Sequence, residues 1–459
     1  MAREEVDLIV SGGTLLTVDE KRRVILDSAL AVRDGRILEV GERGRVESRY
    51  DAAEVLDARG KLVLPGFIDL HVHNAQSLLR GWIDDRLTAL PPIWLSMLIP
   101  FEAHLEPRHV EAASWISMLG MLRSGTTCFV EAGAPWPEAV AEVAEKIGLR
   151  AIITRSNIDL SEDIPMYLET SETVRENLRL FERWDGRGRV RVWFSLRELM
   201  LDTMELYEEF RRLAEERNTY ITMHLAEDRV EVDYALEKYG VRPVELMYRR
   251  GFLSPRVLAS HMIYLNSREL RMLRGSGASV AWCPYVDARV MSFPRVDEML
   301  AAGVNLGLGS DGGAWCNLDL LEQARIGRAV VKTLSNASYY DKTCLDSWEA
   351  LEMITRRGGA AVHQPIGMLK PGYLADLIAI RLRSPHLLPL SNPVETLINS
   401  ARGSDVEDVV VGGEILMRGG EVLKVDEEGV LERAGETASE LVDLVEGLRE
   451  RVLRRTGKS

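Results

Sequence analysis

The chain has little of what marks several large classes of protein. It carries only 4 cysteines in 459 residues, Cys128, Cys283, Cys316 and Cys344, with no Cys-x-x-Cys spacing. That excludes a dense disulfide framework and fits a reducing compartment. Positive charge is in deficit: 57 Lys and Arg stand against 71 Asp and Glu, a formal charge of −14. A nucleic-acid partner is not expected, because neutralising phosphates needs concentrated positive charge. No apolar run reaches the roughly 20 residues of a membrane helix, so no membrane association is expected. The opening MAREEVDLIV lacks a basic stretch followed by an apolar one, which leaves a cytoplasmic location as the expectation. Internal repeats and low-complexity tracts are absent too. What is present is ordinary globular material, 46% hydrophobic and 28% charged, enough for a large catalytic domain and a smaller one.

The two ends of the chain share a rhythm. DLIVSGGTLLTV, SALAVRDGRILEV and AEVLDARGKLVLP near the start, and DLIAIRL, VEDVVVGGEILM and GGEVLKV near the end, are short alternating strands around Gly turns. Residues 1–61 and 365–425 are therefore expected to pair into a small β-sandwich domain. Residues 426–459 read as a C-terminal amphipathic helix, with Leu431, Leu441, Val442, Leu444, Val445, Leu448 and Val452 near helical spacing. Between the ends, residues 62–364 alternate short β-branched runs with helical stretches such as Pro107–Arg123 and Met204–Arg217. The runs GFIDLHVH, TTCFVEAG, RAIITRSN, VRVWFSL, TYITMHLAE, VLASHMI, SVAWCP and VNLGLGSD are the number needed to close an α/β fold of the (β/α)8 barrel type.

Several of these strands end in residues capable of chemistry. His71 and His73 close the first, His224 and Glu227 the fifth, His261 lies in the sixth and Asp311 ends the eighth. A parallel barrel sends every strand C-terminus to one rim, so residues far apart in sequence converge there. Residues two apart on a strand share a face, which lets His71 and His73 reach one ion. Imidazole nitrogens with one carboxylate suit zinc or iron(II) and leave room for water. A lone His-x-His carries little, since most strand histidines pack or face solvent; the joint pattern carries the inference. His104, His109, His363 and His386 have no such placement and read as structural or exposed.

PGFIDLHVHNAQ, TMHLAE, the His261 strand and GLGSDG resemble, in order and spacing, the amidohydrolase superfamily. The nearest look is to its branch of aminohydrolases and chlorohydrolases acting on purines, pyrimidines and s-triazines. The similarity runs on through IGMLKPGYLADLIAI and NPVETLINSARGSDVEDVVVGGEILM, and so spans nearly the whole chain. It implies that His71, His73, His224 and Asp311 hold one divalent metal, zinc in preference to iron. It makes Glu227 a proton shuttle and His261 a group that polarises or orients the attacked centre, with Asp311 accepting a proton from the attacking water. Glu227 as a salt-bridged rim residue and His261 as a brace are the plainer alternatives. Relatives that bridge two metals use a carboxylated lysine on the fourth strand. Residues 151–223 contain no lysine, which points to one metal. Glu131 is the one nameable bridging residue, and it reads as solvated or structural.

For the substrate, the resemblance gives Gln76 the amide edge of a base, Trp94 the face of the base and Glu102 the ribose hydroxyls. The last two come from the similarity of LLRG…WLSMLIPFE to deaminases of adenosine derivatives. Two departures qualify it: FSLREL puts Arg197 where that subgroup has a histidine, and CPYVDARV puts Val286 and Asp287 where it has Pro-x-Ser-Asn. The loop Gly312–Cys316 is unusual as well. Arg197 either meets an acidic or carbonyl-rich substrate or pairs with a neighbouring acid. The expected function is hydrolytic deamination of a small N-heterocycle; a homo-oligomer is a family expectation only. Dechlorination or dealkylamination of an s-triazine-like ring is the alternative chemistry, and a non-catalytic metal-binding barrel the alternative class.

Overall fold

The computed structural model describes residues 3–88 and 92–456. The strands of the middle region are Phe67–His73, Thr126–Glu131, Arg150–Ile153, Val190–Val192 continued by Phe194–Leu196, Ile221–Leu225, Val257–His261, Ser279–Trp282, and Leu306–Leu308 continued by Asp311–Gly312. Each pairs in parallel with the next. Asp311 and Gly312 pair back onto Val72 and His73, which closes the ring as a (β/α)8 barrel. At Trp193 the fourth strand changes partner. Trp193 N donates to Ile153 O on one side, and Phe194 N donates to Tyr220 O on the other.

Burial on both faces explains the continuous apolar runs of these strands. Every residue of Phe67–His73 is buried, both histidines included. The helices between strands present a periodic face to the sheet. In Met204–Glu216, Thr203 caps the N-terminus by accepting from Leu206 N, and Leu206, Tyr207, Phe210, Leu213 and Ala214 turn inward.

The chain ends meet as expected. Glu4–Leu16, Val24–Arg33, Arg36–Glu42, Tyr50–Asp57 and Lys61–Pro65 share one nine-stranded sheet with Leu377–Arg381, Val406–Val411, Glu414–Arg418 and Glu421–Val422. The seam is antiparallel, with Lys61 opposite Arg381 and Pro65 opposite Leu377. Leu8, Val10, Leu30, Val32, Leu377 and Val410 form its core. A buried ion pair, Arg150 Nε to Asp376 Oδ2 at 2.8 Å, ties the third barrel strand to this β-sandwich.

The C-terminal segment departs from the single helix expected. It forms two, Glu427–Glu440 and Val442–Thr456, with Leu441 between them. The first lies along Pro107–Arg123, and the second turns onto Trp94–Leu98 and Ile99–Glu102. Leu431, expected on the apolar face, is 57% exposed; Val430 takes the buried position instead. Among the described residues no helix is long and apolar enough to cross a membrane.

Candidate metal centre and cavity

Strand register brings His71, His73, His224 and Asp311 to one point on the barrel rim. His224 Nε2 lies 3.3 Å from His73 Nε2. Asp311 Oδ1 lies 3.8 Å from His73 Nε2 and 3.9 Å from His71 Nε2. Ligands about 2.0–2.1 Å from zinc in a tetrahedron stand about 3.3 Å apart, so the spacing fits a metal. His71 Nε2 is buried with no hydrogen-bond partner, as a donor set made for an ion requires. Burial, with the neighbouring imidazoles, holds His71 and His224 well below the ordinary histidine range, and burial beside Arg197 does the same for His73. All three imidazoles are therefore held in the neutral form, the one able to ligate a metal. Burial pushes Asp311 up to about 7, against the charge of His261; a divalent cation beside it favours the carboxylate.

His71 is braced from behind. Ser260 Oγ lies 2.7 Å from His71 Nδ1, which leaves Nε2 for the centre. Asp69 Oδ1 accepts from His71 N at 3.1 Å and Ser310 N at 3.0 Å, stitching the first strand to the eighth. His261 and Asp311 adopt φ of 68° and 63°, left-handed conformations that cost non-glycine residues on the order of 1–3 kcal/mol each. That strain aims both side chains into the rim.

His261 sits between two acids. Its Nδ1 is 2.9 Å from Asp287 Oδ1, and its Nε2 is 3.8 Å from Glu227 Oε2. Burial would lower its pKa, but Glu227 and Asp287 carry it up to about 10. The two acids thus favour the charged form of His261, which faces Glu227. The cavity above holds His73, His224, Glu227, His261 and Asp311 at its floor.

The amidohydrolase family profile matches residues 62–416. The chain belongs to the amidohydrolase family. It is a hydrolase of the type acting on C–N bonds other than peptide bonds. It is 32% identical over 444 residues to a 5-methylthioadenosine/S-adenosylhomocysteine deaminase of Pelotomaculum thermopropionicum, covering 95% of this chain and 99% of that one. A 5′-deoxyadenosine deaminase of Methanosarcina mazei is 33% identical over 442 residues, covering 95% and 98%. A zinc-bound adenosine deaminase structure from Xanthomonas campestris superposes with a TM-score of 0.90 at 27% identity, covering 96% and 99%.

The side walls of the amidohydrolase cavity hold three of the four residues expected at the substrate. Gln76, Trp94 and Arg197 line it; Glu102 does not. Glu102 is 1% exposed, its Oε2 accepting from Arg197 Nη1 at 2.7 Å and its Oε1 from Gln76 Nε2 at 3.0 Å. The carboxylate expected at a ribose is thus the counter-ion that fixes two other cavity residues. Arg197 both pairs with a neighbouring acid and faces the cavity. Of the 285–289 loop, Val286 lines the cavity and Asp287 stands behind His261. Glu131 is not solvated: it is 1% exposed and accepts from Asn74 Nδ2. His104, His109, His363 and His386 lie away from the cavity.

Sequence reasoning missed Asp69, Ser260 and Glu198. Asp69 lies two residues before His71 on the same strand, a period-2 signal that was available. Ser260 and Glu198 had no signal beyond adjacency to His261 and Arg197.

Proposed function

We infer that this amidohydrolase is a divalent-metal-dependent deaminase of an aminated N-heterocycle, a small nucleoside-type molecule. The observation that carries the reading is the convergence of three neutral imidazoles and a carboxylate with the facing pair Glu227 and His261. Such a site can place a nucleophile and move protons within one cavity. The deaminase names of its relatives point the same way.

His71, His73, His224 and Asp311 would hold the ion, and zinc is favoured over iron by the donor set and by the zinc in the related structure. A bound ion lowers the pKa of water toward ~7 and so supplies a nucleophile at neutral pH. Asp311 would accept a proton from the attacking water. Glu227 gives a proton to the adjacent ring nitrogen, then carries one to the departing amine. His261, held by Asp287, donates to the charge developing at the attacked centre. The net reaction exchanges an exocyclic amine for an oxygen and releases ammonia.

The test is ammonia release by the zinc-loaded protein across adenosine derivatives, free bases and aminotriazines, with halide release from a chlorotriazine measured alongside. Ammonia is expected from at least one aminated ring. Halide without ammonia would overturn the reading. Glu227→Gln should lower kcat by about 10²–10⁴-fold with metal content intact; a fully active variant would remove the shuttle role.

A further inference from the structure

Glu198 follows the fourth barrel strand and lines the cavity beside Glu227 and Asp228. It is 1% exposed, and among the described residues no N–H or hydroxyl donates to either of its oxygens. Its neighbour Arg197 is turned to Glu102, at 2.7 Å. The side chain Glu198 does meet is the Glu227 carboxyl, to which it is hydrogen-bonded. Buried Glu231, from the helix Arg229–Tyr239, closes the group, its Oε2 accepting from Glu227 N at 3.1 Å. Tyr207, from the helix Met204–Glu216, lies near Glu198, Glu231 and Asp202 with a buried hydroxyl that has no partner.

Hydrogen-bond chemistry decides where the proton of this carboxyl pair lies. Two carboxyl groups bond only when one carries a proton, because an ionised carboxylate has acceptors alone. Glu227 faces His261 Nε2 at 3.8 Å, a partner for negative charge. The charged groups acting most strongly on Glu198 are all acids: Glu231, Glu227 and Asp228. An ionised Glu198 would be a buried charge with no donor on either oxygen, which is strongly disfavoured. Burial and the neighbouring acids hold its pKa well above the usual carboxylate range, in agreement. Glu198 is thus the donor and Glu227 the acceptor. When Glu227 gives its own proton to a ring nitrogen it becomes a carboxylate, and a bond to an ionised acceptor is the stronger one. The contact tightens as the proton leaves. Only Glu227 changes protonation; Glu198 keeps its proton throughout.

We propose that Glu198 is a positioning residue for the proton shuttle. It donates its O–H to Glu227, fixes that carboxyl beside His261 and stabilises the charge it acquires. This deepens, and rests on, the deamination reading above.

The experiment measures kcat, KM and zinc content of Glu198→Leu and Glu198→Gln in the zinc-loaded full-length protein, on the ring that releases ammonia fastest. Glu198→Leu cannot donate and should lower kcat by about 10–100-fold. KM should change by less than about 3-fold, with zinc content as in the parent. Glu198→Gln keeps a donor of the same shape and should recover most of the loss. In a Glu227→Gln background the further loss from Glu198→Leu should shrink to less than about 3-fold, because the group it serves is gone. Parental kcat in Glu198→Leu, Glu198→Gln as impaired as Glu198→Leu, or full additivity with Glu227→Gln each overturns the proposal. A second measurement needs no turnover and decides the matter should Glu198→Leu fail to fold. The infrared difference between parent and Glu198→Gln at about pH 8 should show one protonated-carboxyl band lost in the variant. No such band overturns the proposal whatever the enzyme turns over. The band without ammonia from any ring overturns deamination, and the shuttle role with it, while the carboxyl pair stands.

Discussion

The floor and the side wall of this cavity are built by different means. At the floor, the candidate metal-site residues and His261 sit at strand ends, with local braces: Ser260 behind His71, Asp69 beneath Ser310, Asp287 behind His261. At the wall, Gln76 comes from the short 3₁₀ turn Asn74–Leu79, Glu102 from the end of Ile99–Glu102 and Arg197 from the close of the fourth strand. A single buried carboxylate, Glu102, joins Gln76, 26 positions before it, to Arg197, 95 positions after it. The floor is fixed by β-sheet register. The wall is fixed by one ion pair, which one or two substitutions can rewrite.

The largest test of that contrast is at the floor. Asp311→Ala should abolish turnover, a loss of about 10⁴-fold or more, and lower bound metal as measured by elemental analysis. Retained metal and activity would show that the strand ends do not form the centre. At the wall, Glu102→Gln should destabilise the fold by about 3–5 kcal/mol in denaturant unfolding, because Arg197 is left buried without its partner. Metal content should not change. A variant as stable as the parent would show the pair to be unimportant.

Next comes a brace between the two regions. Burial pushes Glu131 up to about 8, against the hydrogen bonds from Asn74. Its folded pKa exceeds the ordinary 4.5, so the stabilisation belongs to the protonated form. It is complete below 4.5 and lost as pH rises through about 8. Glu131→Gln removes that loss and should raise the melting temperature by about 2–4 °C near pH 9, with no gain near pH 4. An unchanged profile would mean that Glu131 is ionised in the fold.

The smallest effect is expected outside the cavity. Arg449 of the last helix meets Asp84 at 2.8 Å, both side chains partly exposed, and lies over Trp82. Screened by solvent, the contact should be worth at most about 1 kcal/mol, so Arg449→Ala should lower thermal stability only slightly. A large loss of activity in that variant would show that the wall depends on the C-terminal helix.

How much was legible follows the same division. The His71–His73 pair, His224, His261 and Asp311 could be read because period-2 spacing and strand ends are local signals. The small sheet was readable from alternation at both chain ends. Arg197 was visible as a departure, but its partner was not: Glu102 sits on a separate helix, and nothing in FSLREL names the acid it meets. The break at Leu441 was equally hidden, because helical periodicity continues through it and only the two surfaces beneath decide the bend.

Sequence alone determined the barrel and the β-sandwich built from its two ends, and it nominated the groups able to hold an ion, because alternation and strand-end placement are local signals and the motif resemblance joins them. Tertiary structure alone decided that Glu102 serves Arg197 and Gln76, that Asp287 backs His261 and that Glu198 faces the cavity. Those relations are contacts between elements, and burial makes each strong enough to set what a side chain does.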